Sequence, residues 1–522
     1  MIYTPQAYRG MVTSPHHLAS NAGLDILKAG GTAAEAAVAV AATLAVVYPH
    51  MNSIGGDSFW LIREPDGGVH SVHGCGAAAQ KADLALYAGL DAVPWRGPKA
   101  ANTVAGTISA WAAMLEGGVL SLGQILEAAI HYAGTGVVVT KGGADIAAAK
   151  DAELKDVFGY GAVYRLGGRA LREGDRLKQP ALAETLKRLV RDGLQGFYDG
   201  ALARDIAADL AEAGSLVSAD DLQAHKVERP QPLDVRMGGA RLFNSAPPTQ
   251  GFASLLTLAL FDRLGVRTVD DFAHIHGLVE ATKQAFVLRD RYVGDPAWMD
   301  FGAQGLLSDA AALDALAGQI DAAIAMPWPH VPAPGDTVWF GVIDGDGRAV
   351  SAIQSTYFEF GSGLVLPQTG IVWQNRGASF TLSETGPRAL KPGRKPFHTL
   401  NPALAVFDDG RVMPYGTMGG EGQPQTQAAI FTRYVSGVPL QQAVTAPRWL
   451  LGKTWGETSV TLKLEDRFEP ALYEALRAAG HDVEIVAPFS SMMGHAGALV
   501  RHAGGRIEGA TDPRSDGGAA AW

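Results

Sequence analysis

Gly335-Asp336-Thr337-Val338-Trp339-Phe340-Gly341-Val342-Ile343-Asp344 reads as an alternating strand that opens on a threonine. The turn Gly345-Asp346-Gly347 follows, and Arg348 to Thr356 returns as the second strand of a hairpin. Gly335 has access to backbone angles closed to other residues, so the Asp336–Thr337 peptide is expected to sit in a strained, attackable geometry. A cut there would make Thr337 an N-terminus. Its hydroxyl would then lie beside its own α-amine, a base with a pKa near ~8. Nucleophile and base on one residue is an established way to activate a threonine.

The rest of the chain gives this hairpin its context. Its 522 residues are 47% hydrophobic and 18% charged, as expected of a globular protein with a large core. The formal net charge of -10 is spread without basic runs, which argues against nucleic acid or an anionic membrane as partner. Cys75 is the single cysteine, so neither an internal disulfide nor a cysteine metal cluster can form. Met1 to Gly10 lacks the basic and apolar regions of a secretory signal. The apolar stretch from Ala36 to Pro49 is shorter than the ~18 residues a bilayer requires. A cytoplasmic location is expected.

Along the chain, Ser20 to Lys28 reads as a short helix stopped at Gly30-Gly31, and Thr32 to Glu35 as a capping box opening an Ala-rich helix. Phe59 to Ile62 fits a buried strand, with a hairpin turn at Asp66 to Gly68. Residues 100–225 read mainly as helices, two strands flank Gly238-Gly239, and Asp271 to Arg291 is helical. Its His274 and His276 are two apart and diverge, so they form no metal pair. After Thr337 short strands dominate, with helices confined to about 423–437 and 466–479. Strands at both ends and helices between them predict an α+β body built by both halves of the chain.

Gly416 to Gly422 is a glycine-rich turn between a strand and a helix. Consecutive glycines let backbone amides point one way, which suits an oxyanion hole at Gly419 and Gly420, or a plain turn. No lysine follows, so a phosphate-binding loop is not indicated. Asp344 to Gly347 lacks the twelfth-position glutamate of a calcium loop and reads as a hairpin turn.

Taken together, these segments resemble the γ-glutamyltransferase family of N-terminal nucleophile hydrolases. The resemblance runs through Leu18 to Gly23, Ala29 to Ala37, Ser53 to Asp57, Ala246 to Gly251, Val279 to Lys283 and Gly294 to Pro296. It continues through Asp336-Thr337, Phe360 to Gly363, Gly419-Gly420 and Asp512 to Gly517. It implies an αββα four-layer sandwich and self-cleavage between Asp336 and Thr337. Residues 1–336 would form a large subunit and 337–522 a small one, together one structural body. Thr337 would be the nucleophile, Ser355 a supporting hydroxyl, and Gly419 and Gly420 the oxyanion donors. No metal or organic cofactor is called for. The partners implied are a small amide substrate and the chain's own two fragments as a heterodimer, alone or paired with a second copy.

Departures from the family pattern narrow the substrate. Cys75 stands where transferases place an arginine for the glutamyl α-carboxylate, and Ser379 where an aspartate holds the α-amine. Tyr357 replaces an asparagine, the paired serines read His398-Thr399, and Arg376 has appeared in the Gln374 to Gly377 turn. A site without an amino-acid clamp should bind γ-glutamyl groups poorly. Arg376 is either a grip for a small carboxylate or a surface turn residue. The pattern looks most like the oxamate amidohydrolase branch of purine-nitrogen catabolism, with Arg376, Tyr357, Ser379, His398 and Thr399 as substrate contacts. Two alternatives stay open. One is a γ-glutamyl or cephalosporin-acylase-like hydrolase or transferase; the other is an unprocessed, non-catalytic binding protein.

Overall fold

A computed structural model describes residues 3–328, 336–452 and 460–522. Gly335, on which the strained approach was read, lies outside them. Two antiparallel sheets form the centre. The six-stranded sheet runs Gly518–Ala521, Gly10–Ser14, Asp336–Asp344, Ala349–Tyr357, Asp57–Arg63, Val69–Gly74. The seven-stranded sheet runs Gln6–Ala7, Ile507–Thr511, Ala496–Arg501, Val412–Thr417, Ala403–Phe407, Ala240–Asn244, Leu233–Met237. The hairpin after Thr337 is thus inserted between strands from the start of the chain. Residues on both sides of position 336 build both sheets.

Strand alternation assigns each face its layer. Val338, Phe340 and Val342 join Trp60, Ile62, Val350 and Ala352 against the helices His17–Lys28 and Ala33–Val47. Trp339 and Ile343 point the other way, into the space between the sheets. The outer face of the seven-stranded sheet is covered by Gly251–Arg263, Phe272–Tyr292 and Gly422–Val435. Helix, sheet, sheet, helix is the four-layer order expected. The sheets approach closely because Gly416 and Gly497, partners in register, leave room for the Trp339 indole. A Cβ on either would come within 2.3 and 2.6 Å of it.

Local expectations largely agree. Thr32 and Glu35 make the reciprocal capping box, and Asp344 Oδ2 accepts from the Ala33 N–H at the same helix start, at 2.9 Å. The first helix begins at His17, three residues before Ser20, because His16 supplies its cap. The second half holds a helix the sequence reading missed, Leu440–Thr445, whose six residues are too few to show a periodicity.

Candidate active site

Thr337 is fully buried on the inter-sheet face. The pairing of its strand with Ala349–Tyr357 changes register between Asp336 and Val338, so Ser355 and Thr356 together oppose the single Thr337. That bulge brings Thr337 Oγ1 to 3.4 Å from Ser355 Oγ, to which it donates. Ser355 Oγ in turn accepts the Tyr357 N–H at 2.7 Å. Tyr357, paired with Asp336, has a φ of 83°, a left-handed conformation unusual for a residue with a Cβ. The irregular backbone lies in the partner strand, at Tyr357 opposite Asp336.

Arg376 is no surface residue. It is 1% exposed, its guanidinium lies 3.6 Å from the centre of the Tyr357 ring, and Nε donates to the Phe397 carbonyl at 2.8 Å. Nη2 donates to the same carbonyl, and Nη1 lies 3.4 Å from Thr399 Oγ1. Among the described residues no carboxylate pairs with it, and burial brings its pKa down from 12.5 to about 10. The half-buried Ser379 also donates to the Phe397 carbonyl, at 3.0 Å, so the two substitutions read from the sequence converge on one backbone atom. The Phe397 ring itself is covered by Arg388, 3.7 Å away.

The glycine turn closes the arrangement. Gly419 and Gly420 have φ of 117° and 53°, which a Cβ would disfavour. Neither N–H donates to an acceptor among the described residues. Gln250 Nε2 donates to both the Thr399 and Gly420 carbonyls, at 2.7 and 2.8 Å, and so ties the Arg376 side of the site to the glycines. His398 is buried beside Phe59, with its pKa held well below the usual imidazole value by desolvation and then by Arg376. Every predicted site residue thus belongs to one connected region.

Sequence reasoning left Asp57 and Gln250 without roles. Both stand in the quoted motifs, yet only strand register and loop packing reveal what they touch. Cys75 is buried among Phe59, Trp339, Ile353 and Leu400, and burial pushes its thiol far above the ordinary range, so it is an inert apolar residue here. His274 and His276 diverge as read, to Thr432 and His481 respectively. His276, Glu280 and His481 do converge, but the Lys283 ammonium already donates to Glu280 at 2.7 Å and supplies the positive charge there.

The gamma-glutamyltranspeptidase family model matches residues 19–522. The oxamate amidohydrolase proenzyme of Klebsiella pneumoniae is 53% identical over 520 residues, covering 98% of each chain. The glutathione hydrolase-like YwrD proenzyme of Bacillus subtilis is 41% identical, again over 98% of both. Among solved structures, a cephalosporin acylase from Bacillus halodurans superposes with a TM-score of 0.90 at 34% identity, covering 100% of this chain and 97% of that one.

Proposed function

The chain belongs to the gamma-glutamyltranspeptidase family, and from that premise we propose a self-processing amidohydrolase that uses Thr337 to convert a small acidic amide, such as oxamate, to oxalate and ammonia. Cleavage at Asp336–Thr337 divides it into fragments 1–336 and 337–522, which stay together because both sheets are shared between them. The name proenzyme carried by both relatives supports this step. In the mature enzyme the α-amine of Thr337 takes the hydroxyl proton as Oγ1 attacks the amide carbon. Ser355 orients the hydroxyl, and the N–H groups of Gly419 and Gly420, which have no acceptor among the described residues, receive the oxyanion. The amine returns the proton to the departing nitrogen, and water then releases the acyl group from Thr337.

The observation that carries the substrate class is the Arg376 guanidinium, buried beside Tyr357 and Thr399 without a carboxylate partner among the described residues. A small substrate has little else to orient it, and a carboxylate would restore the balance of charge. The transferase alternative lacks support from the side chains: Cys75 is packed into the inter-sheet core and the Ser379 hydroxyl is engaged by Phe397. Among the described residues no helix is long and apolar enough to cross a membrane, and a cytoplasmic location with a place in purine-nitrogen breakdown remains part of this proposal. Side-by-side kinetics on oxamate, a glutaryl amide and γ-glutamyl anilide test it. Efficient γ-glutamyl transfer, or a chain that stays uncut on prolonged incubation, would contradict it.

A further inference from the structure

The row that holds Thr337 and Ser355 continues one strand further. Ser355 is the direct cross-strand partner of Asp57, so the two side chains leave the sheet on the same face, toward the other sheet. Asp57 is 1% exposed. Its Oδ1 accepts three donors: the Gly106 N–H at 2.9 Å, Gln374 Nε2 at 3.2 Å and the Gly76 N–H at 3.3 Å. Among the described residues its Oδ2 has no hydrogen-bond partner, and it stands 3.7 Å from His398 Nε2. Neither ring nitrogen of His398 has a partner among the described residues either, although the ring is wholly buried. Each such stripped polar atom costs about 1–3 kcal/mol. They cluster beside Arg376, next to the nucleophile's row, where a ligand would satisfy them.

We propose that Asp57 Oδ2 and His398 together form the subsite for the substrate's amide nitrogen, so that the site takes primary carboxamides borne beside a carboxylate. This rests on Thr337 being the nucleophile of an acid-amide hydrolase. A primary amide brings two N–H donors: the Asp57 carboxylate accepts one, and the unprotonated nitrogen of neutral His398 accepts the other. Arg376 holds the carboxylate at the opposite end. When Thr337 Oγ1 bonds to the carbonyl carbon and the C–N bond breaks, the hydroxyl proton, relayed by the α-amine, ends on the nitrogen. Ammonia leaves from between the same two acceptors. An N-alkyl amide offers one donor fewer and forces an apolar group against a buried carboxylate.

The test uses the mature full-length enzyme, with rates normalised to the cleaved fraction. Ammonia and methylamine release are measured from oxamate, malonamate and succinamate and from their N-methyl counterparts. The wild type should prefer the primary amide by at least about 10-fold. Asp57→Asn keeps an oxygen for the three structural donors but turns an N–H toward the substrate. Its kcat/KM for the primary amide should fall about 10- to 100-fold, and the preference should collapse toward unity. A purely structural Asp57 would lower both amides together and leave their ratio intact, and that result overturns the assignment. Should Asp57→Asn fail to fold or mature, the wild-type ratio decides: equal rates on primary and N-methyl amides overturn it. No release from any acid amide overturns the functional reading and this one with it, whereas turnover with an unchanged Asp57→Asn ratio sinks only this one.

Discussion

Replacing Arg376 by methionine removes the guanidinium while keeping a long apolar side chain against the Tyr357 ring. Burial lowers the Arg376 pKa from 12.5 to about 10, which at about 1.4 kcal/mol per pH unit is a cost of about 3 kcal/mol for holding the charge in the unliganded site. At neutral pH, below both values, that cost is present in full. A substrate carboxylate recovers part of it through charge-assisted hydrogen bonds worth about 1.5–3 kcal/mol, or roughly ten- to a hundred-fold in kcat/KM. Arg376→Met should therefore lose that factor on small acidic amides, mainly as a raised KM. It should melt at the wild-type temperature or above, because the unpaired charge is gone and Ser379 still donates to the Phe397 carbonyl. Cleavage at Thr337 needs no substrate carboxylate and should proceed. Ammonia release under varied substrate, a thermal melt and a denaturing gel read the three outcomes. A variant with wild-type kcat/KM, or one that melts several degrees lower, would make Arg376 a structural tie to Phe397 instead.

Thr337→Ala should remain one chain of full mass, since the attacking hydroxyl is missing; normal cleavage in that variant would remove Thr337 from the mechanism. Gly416→Ala should destabilise the protein by about 1–3 kcal/mol in denaturant unfolding, because its Cβ would come 2.3 Å from Trp339; wild-type stability would refute that packing. Asp57 has a carboxyl pushed up from 3.8 to about 7 by burial, so between about pH 4 and pH 7 the native state keeps a proton that the unfolded chain has lost, and the carboxylate that accepts the substrate amide forms as the pH passes about 7. Stability present below about pH 4 should decline as the pH rises toward about 7, by about 4 kcal/mol in total. Asp57→Asn should lack that slope, and parallel urea midpoints for the two proteins between pH 4 and pH 8 would contradict it.

Much of the protein was legible in one dimension because its signals are local. The alternation after Thr337, the Thr32 to Glu35 capping box and the glycines at 419 and 420 each encode a backbone state within a few residues, and each state is observed. The ordered motifs pointed to the family and to an αββα body. Arg376 was legible as a residue, not as a buried one, since nothing around Gln374 to Gly377 distinguishes a surface turn from one folded beneath Phe397. His481 could not be joined to His276 for the same reason: 205 residues separate them.

What tertiary structure alone decided is the row. Thr337, Ser355 and Asp57 come from three neighbouring strands, and only hydrogen-bond register places them side by side. A shift of one residue would turn Asp57 to the opposite face of the sheet. Local signals marked Thr337, Ser355, Arg376 and the glycines at 419 and 420 as residues able to do chemistry, but gave no role to Asp57. Which of them lie buried together between the sheets, and which polar atoms there are left for a substrate, depended on strand pairing across the whole chain, because register is set by the packing of entire faces and not by any one segment.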